Sequence, residues 1–544
     1  MKLHLLFIWF IQISLPLAAQ WKQEEFVIGT YLDPSLSSDK DHVKDSLSFL
    51  LAKNAHFNLL TGYRDDRYQT VDRSEQETMY QLDLAHKLGL KMIVADDRFF
   101  HLKPFNPLAA DLVKKFYLNL SPTQRSALYG YRLIDEPQIS DSLFVKPWVK
   151  YFNNIDPVKM SYVNLLPGYA FTKSKDYDKY LRTYLADSAG LSSNIQVASY
   201  DFYPFLSKSI RLGYFQNIEQ IRKYANDRPF WFYTNTSKHL DYLEPEEKHL
   251  KFMSFCPLAY GAKGILHFSY ETVPALDEFK YSDALVDRNG KPTKKYFIVK
   301  NINSFLKDIV GPITMNSEYL GTFHLTNQDK YDKYPNYQVL NPRTPIISHV
   351  SNDNVLLGIF KDKKNSNKFY IYLVNKSLES INNVDVYIKA SNLVDIYKYS
   401  SINHGEGTSG KTGIYFTHVN SMNKYVTNID KIEGGGMVVL ETNFNFSSQL
   451  NRNNLVNINT AGFYCIPNPI KDQAIVKYSL DQPGDITLKV INAVGKEVKL
   501  LVQGKKEAAG DYYTNLDLSF FSPGIYTCIL LTNNKVKALK ILKV

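Results

Sequence analysis

Between residues 26 and 270 the chain alternates strand-like runs with helix-period stretches eight times, and no other feature narrows its possible folds so far. The strand-like runs are 26–33, 57–63, 90–96, 128–135, 160–166, 195–203, 229–235 and 264–270. Between them lie amphipathic stretches such as 75–88, apolar at Met79, Leu82, Leu84, Ala85 and Leu88, and 246–260. Alternation of this kind implies a parallel sheet whose strands are joined by crossover helices. Eight such units within roughly 245 residues fit a closed (β/α)8 TIM barrel, which typically takes about 250. A doubly wound open sheet is the alternative. It is disfavoured because no glycine-rich phosphate loop follows the first strand.

The pattern changes further along. Residues 282–312, with Asn289-Gly290 as a turn, read as the final barrel helix and its approach. After Pro312 come short alternating strands such as 355–360, 369–374 and 384–388, separated by Asn, Ser and Gly clusters, the grammar of a β-sandwich. An Asn- and Ser-rich stretch, 443–459, reads as a linker, and a second small all-β unit starts at Phe463. The first twenty residues combine Lys2, an apolar run over 5–15 and small residues near Ala19, the pattern of a secretory signal peptide. The expected organisation is therefore a signal peptide 1–20, barrel 21–312, β-sandwich 313–442, linker 443–462 and C-terminal β-sandwich 463–544.

At 544 residues the chain exceeds what one core supports. No apolar run reaches the ~20 residues of a membrane span, so no transmembrane segment is expected in the mature protein. The net charge of +10 comes from scattered lysines without a dense basic run, which argues against a nucleic-acid partner. Three cysteines, Cys256, Cys465 and Cys528, are too few for a disulfide scaffold; buried separate thiols are favoured over a Cys465–Cys528 pair. No cofactor or metal is expected: no His/Asp/Glu cluster has ligand spacing, and no G-x-S-x-G elbow occurs.

The chemistry-bearing segment is L-Y-G-Y-R-L-I-D-E-P, residues 128–137, whose strand stops on two adjacent carboxylates. Strand ends and the loops after them form the reactive mouth of a (β/α)8 barrel. Cleaving a glycosidic bond usually takes one carboxylic acid to protonate the leaving oxygen and a second carboxylate as nucleophile or base. Side chains alternate along a strand, so at most one of Asp135 and Glu136 is expected to face fully into the mouth. Glu136 has the longer reach and is the candidate acid; Asp135 is left to hold the loop or a nearby cation. The candidates for the second carboxylate are Asp201 at the sixth strand, Glu271 after the eighth, and Asp96 or Asp97 after the third. Asp135, Asn164, Tyr200, Tyr203, Trp231, Tyr233 and His267 are the candidate substrate contacts, the aromatic ones because aromatic faces stack on sugar rings.

Two resemblances add to this reading. D-E-P on strand four, A-S-Y-D-F-Y-P-F (198–205), R-P-F-W-F-Y (228–233) and L-A-Y-G-A-K-G-I-L-H-F-S-Y (258–270) resemble clan A glycoside hydrolases, especially the family 42 β-galactosidases. That resemblance implies a carbohydrate substrate and gives Glu136 the acid/base role, with Asp135 where the clan usually has Asn. The clan's nucleophile is a glutamate at the end of strand seven. Here that place reads F-W-F-Y-T-N-T-S and offers no carboxylate. The tail is similar to the C-terminal sorting domains of the type IX secretion system through P-N-P-I, P-G-D-I-T-L-K-V, F-S-P-G-I-Y and L-K-I-L-K-V. It implies the type IX machinery as a partner and delivery to the outside of a Bacteroidetes-like outer membrane. The expected function is a secreted enzyme cleaving β-linked glycans; the alternative is a surface glycan-binding protein on an inactive barrel.

Overall fold

The computed structural model describes residues 20–36, 41–62, 75–100, 104–185, 195–273, 279–327, 330–332, 338–341, 344, 346–389, 393–400, 412–414, 416–419, 424–444, 463–466, 468, 470–480, 482–492, 496–532 and 535–544. The expected signal segment up to residue 19 and most of the expected linker, 445–462, lie outside the described residues.

Eight strands form a closed barrel: β1 (Val27–Thr30), β2 (Leu59–Thr61), β3 (Lys91–Ala95), β4 (Leu128–Asp135), β5 (Met160–Leu165), β6 (Ala198–Asp201), β7 (Phe230–Asn235) and β8 (Gly264–Phe268). They follow chain order, all parallel, with β1 closing on both β2 and β8. The strands fall within the ranges read from the sequence, mostly shorter at the ends, where the hydrogen-bonded ladder stops. Strands such as β5 and β7 are buried along their whole length, because side chains fill the barrel and helices cover its outside. Low in the interior the Trp231 indole lies against Gly264, where a β-carbon would fall 2.6 Å from Trp231 Cδ1. Nearer the mouth, Tyr162 donates to Tyr233 Oη at 2.9 Å. The wholly buried Arg132 lies with its guanidinium carbon 4.5 Å from the Tyr31 ring centre.

The chain does not turn to strand grammar at Pro312. The last barrel helix runs on without a break, through Lys294–Phe305, a π-helical turn Leu306–Val310 and Gly311–Asn316, so Pro312 lies just after the π-helical turn inside a helical run, and the first sandwich strand begins at Ser317. The sandwich pairs a six-stranded sheet with a four-stranded one. On strands Val355–Asp362 and Lys368–Asn375, one set of side chains (Leu357, Ile359, Ile371, Leu373) faces the second sheet. The alternate set (Leu356, Phe360, Tyr372, Val374) merges with the barrel core. The barrel helix Glu247–Ala259 is caught between them. It was expected to be amphipathic, yet nearly all of it is buried, because the sandwich sheet covers its outer face.

Gly358 makes this junction possible. A β-carbon there would fall 2.5 Å from the carbonyl oxygen of Ala259, a backbone atom that cannot swing aside. Gly358→Ala is expected to cost about 1–3 kcal/mol, read as a lower Tm in calorimetry; an unchanged Tm would show that the junction is loose. The C-terminal unit consists of a three-stranded and a four-stranded sheet over its own core, in which Cys465 and Cys528 are buried free thiols.

Candidate active site at the barrel mouth

The site begins with an irregularity in β4. Arg132 lies opposite Tyr162 of β5, Ile134 opposite Val163, and Asp135 opposite Asn164, so the register shifts by one residue between Arg132 and Ile134. Such a bulge re-aims every side chain beyond it. Arg132 and Asp135, an odd number of residues apart, consequently share the inward face. Glu136 follows in the left-handed region at φ +47°, a conformation a glutamate adopts at some cost, and its amide donates to the Asn164 carbonyl at 2.9 Å. Both carboxylates therefore line the mouth. The alternation rule, which allowed one, fails here because the bulge and the positive φ break the strand's parity.

Asp201, at the end of β6, faces the same space and is 6% exposed. Its carboxyl lies close enough to that of Glu136 for the two to share a hydrogen bond when one of them is protonated. Asn164 Nδ2 donates to Asp201 Oδ1 at 3.1 Å, and Ser199 Oγ donates to Asn164 Oδ1 at 3.0 Å, which fixes the amide's orientation. Glu136 opens to solvent through the mouth while protein crowds its carboxyl on the other sides. Burial raises its pKa well above the ordinary carboxylate range, and the charges of Asp201 and Asp135 add to the rise. Burial followed by the Asp135 charge pushes Asp201 up to about 7. The pair is built to hold one proton between two acids, with Glu136 its keeper.

Asp135 is tied down from beneath. Tyr31 Oη donates to its Oδ2 at 2.6 Å, and Arg132 Nη2 lies 3.4 Å away. Asp135→Asn keeps the shape and removes a negative charge that raises both neighbours. Both limbs of any pH–activity profile are therefore expected to move to lower pH, measured as kcat/KM against pH for the two proteins. Limbs that stay in place would mean the Asp135 charge is not felt by the pair.

These groups open into a cavity of about 310 Å³. Asp135, Glu136, Asn164 and Asp201 form one side, and Tyr31, Tyr203, Tyr233 and Phe268 contribute aromatic walls. Tyr169, His239, Tyr242 and Tyr281 close the rim. The His239 ring stacks on Tyr281 at 5.0 Å; its Nδ1 donates to the Ser237 carbonyl at 2.8 Å, and burial lowers its pKa.

Of the residues singled out from the sequence, Asp135, Glu136, Asn164, Asp201, Tyr203 and Tyr233 meet in this cavity. Glu271 does not. Its carboxylate accepts from the Ser35 amide at 2.9 Å and the Ser35 hydroxyl at 2.5 Å, and it lines a different cavity with Asp45 and Ser48. Tyr200 and His267 have the wrong strand parity and face the surrounding helices; His267 Nε2 pairs with Asn303 Oδ1 at 3.2 Å. Trp231 has the right parity but lies too deep, its Nε1 donating to Gln23 Oε1 at 3.0 Å. Asp96 is occupied by Arg98 at 2.6 Å and Tyr117 at 2.9 Å, and Asp97 does not line the cavity. Missed by the sequence reading were Tyr31, Tyr169, His239, Tyr242, Phe268 and Tyr281. Tyr31 and Phe268 sit at strand ends, the signal that singled out Glu136; the others stand in loops without a periodic pattern. Among the described residues no grouping could hold a metal ion, and no helix is long and apolar enough to cross a membrane.

Fold and site together define a (β/α)8 barrel with Asp135, Glu136 and Asp201 clustered in an aromatic-walled pocket at its C-terminal mouth. The description "Secretion system C-terminal sorting domain" matches residues 464–544, so the chain ends in a sorting domain of that kind. Solved structures similar to this chain include a β-glucuronidase from Parabacteroides merdae (10% identity, 95% of this chain and 61% of that one, TM-score 0.33). A β-galactosidase from Rahnella sp. R3 shares 13% identity over 55% of this chain and 58% of its own, with a TM-score of 0.40. A GH42 β-galactosidase from G. stearothermophilus shares 10% identity over 77% and 98%, with a TM-score of 0.45. The chain spans about three fifths of the first of these structures. No curated protein sequence matches it.

Proposed function

We propose that the protein is an exported glycoside hydrolase in which Glu136 protonates the departing glycosidic oxygen and Asp201 supplies the second carboxylate charge. The observation that carries this reading is the close Glu136–Asp201 pair, held in a pocket the size of a small sugar and walled by aromatic rings. An acid that serves near neutral pH needs a raised pKa, and burial with two neighbouring carboxylates raises that of Glu136. A carboxylate beside it stabilises the positive charge that develops at the sugar's anomeric carbon. Asn164 and the tyrosine hydroxyls give hydroxyl-bearing substrates their partners, and the rings of Tyr203 and Tyr233 offer flat faces. The sorting domain supports delivery by the type IX machinery to the cell surface or beyond.

A second reading, a glycan-binding protein without turnover, is favoured by Tyr233, Thr234 and Asn235 standing where a strand-seven nucleophile would be. A panel of aryl glycosides and plant or algal oligosaccharides, assayed for both release and binding, separates the two. Turnover of any member is the expected result; saturable binding with no turnover on every member would establish the second reading.

A further inference from the structure

The positions of the three carboxylates bear on how a sugar could be cleaved here, given the hydrolase reading above. A nucleophile, or a water held by a base, must reach the anomeric carbon from the face opposite the acid, which sets the two carboxyl groups about 5–9.5 Å apart. Asp201 instead lies within hydrogen-bonding reach of Glu136 and stands on the acid's own side. Across the barrel from β4, the strands β7, β8 and β1 present Tyr233, Phe268 and Tyr31 to the cavity. Their rings pack on one another, Tyr31 at 5.8 Å from Tyr233 and 4.7 Å from Phe268, as an apolar surface. Among the described residues, the cavity's carboxylates are Asp135, Glu136 and Asp201, all on the acid's side.

We infer that the substrate brings its own nucleophile: the sugar bound in this cavity is a 2-acetamido-2-deoxy glycoside with its leaving group trans to the acetamide. The acetamide carbonyl oxygen bonds to the anomeric carbon as the glycosidic C–O bond breaks, and Glu136 gives its proton to the departing oxygen. The nitrogen of the resulting cyclic oxazolinium keeps its hydrogen, and Asp201 accepts that N–H and balances the positive charge. Water then attacks the anomeric carbon, the Glu136 carboxylate takes its proton, and the ring carbon–oxygen bond opens to restore the acetamide. The amide methyl rests against the Tyr31, Tyr233 and Phe268 rings. Tyr31 and Arg132 hold only Oδ2 of Asp135, and its buried Oδ1, which has no hydrogen-bond partner, adds a second negative charge beside Asp201.

The test uses the full chain and matched 4-nitrophenyl β-glycosides of the gluco and galacto series, each with a 2-acetamido or a 2-hydroxyl group. Turnover of an acetamido sugar is expected, with kcat/KM at least about 100-fold above its 2-hydroxyl partner. A trifluoroacetamido analogue, whose carbonyl is a poorer nucleophile, is expected to react more slowly in kcat. Turnover of a 2-hydroxyl glycoside equal to or above that of its partner overturns the inference while leaving the hydrolase reading standing. Failure of every glycoside overturns the hydrolase reading, and the inference with it. In Asp201→Ala, formation of a glycosyl azide of inverted (α) configuration on adding azide would identify Asp201 as a covalent nucleophile and also overturn the inference.

Discussion

Glu136→Gln is expected to lower kcat by 10²–10⁴-fold, the usual contribution of a general acid, with KM little changed. The substitution keeps the side chain's size and its ability to hydrogen-bond Asp201, so binding through Asn164, Tyr203 and Tyr233 stays intact. What it removes is the one proton that the pocket is arranged to hold. That proton stays on Glu136 because burial and two neighbouring carboxylates disfavour its loss. Asp201 loses its own near 7, so the form with a protonated Glu136 and an ionised Asp201 prevails above about pH 7. Activity of the unaltered protein is accordingly expected to rise as pH increases through about 7 and to fall when Glu136 ionises. An acid limb far below 7 would mean that the pair is not coupled as described.

Asp201→Asn is expected to abolish most turnover and yet to stabilise the protein at alkaline pH. The folded state holds the Asp201 proton more tightly than the unfolded chain, whose carboxyl titrates near the ordinary value of 3.8. Stability contributed by the protonated form is thus fully present below about 3.8 and is lost as pH rises through about 7. Asparagine carries no charge to bury and removes that loss. Tm of Asp201→Asn should therefore exceed that of the parent at pH 8, by roughly 2–4 °C for each kcal/mol recovered, and approach it near pH 4. A variant less stable at both pH values would show that the carboxylate is not strained by its burial. Loss of activity together with gained stability is the behaviour of a site that holds charge at the expense of the fold.

The barrel was legible in the chain because strand and helix periods alternate so regularly, and the position of D-E-P in that alternation located the mouth. The same logic reached Asp201 and Asn164 through their strand ends. The arrangement of Asp135 and Glu136 was not legible. It depends on a register shift against β5 and on a backbone angle, and neither is written in the local pattern of L-I-D-E-P. Tyr200 and His267 are a different case. With Ser199 and Asp201 inward, Tyr200 must face outward, and with Leu266 and Phe268 inward, so must His267; the alternation of a strand already held that information. Trp231 passes the parity test and fails on depth, since two residues along a strand move a side chain well below the mouth. Glu271 lies just beyond its strand, where the loop and not the ladder decides direction, and the Ser35 hydroxyl and amide draw it away. Tyr169, His239 and Tyr242 enter from loops, which carry no periodic signal to read.

The central claim is that Glu136 delivers a proton to the leaving oxygen, and leaving-group dependence tests it most directly. The parent and Glu136→Gln are compared on two glycosides of the same sugar: one with a 2,4-dinitrophenyl group, which departs without protonation, and one with an alkyl group, which cannot. Glu136→Gln is expected to lose at least about 10²-fold on the alkyl glycoside and far less on the dinitrophenyl one. Equal losses on both, or no loss on the alkyl glycoside, would contradict the assignment of Glu136 as the acid.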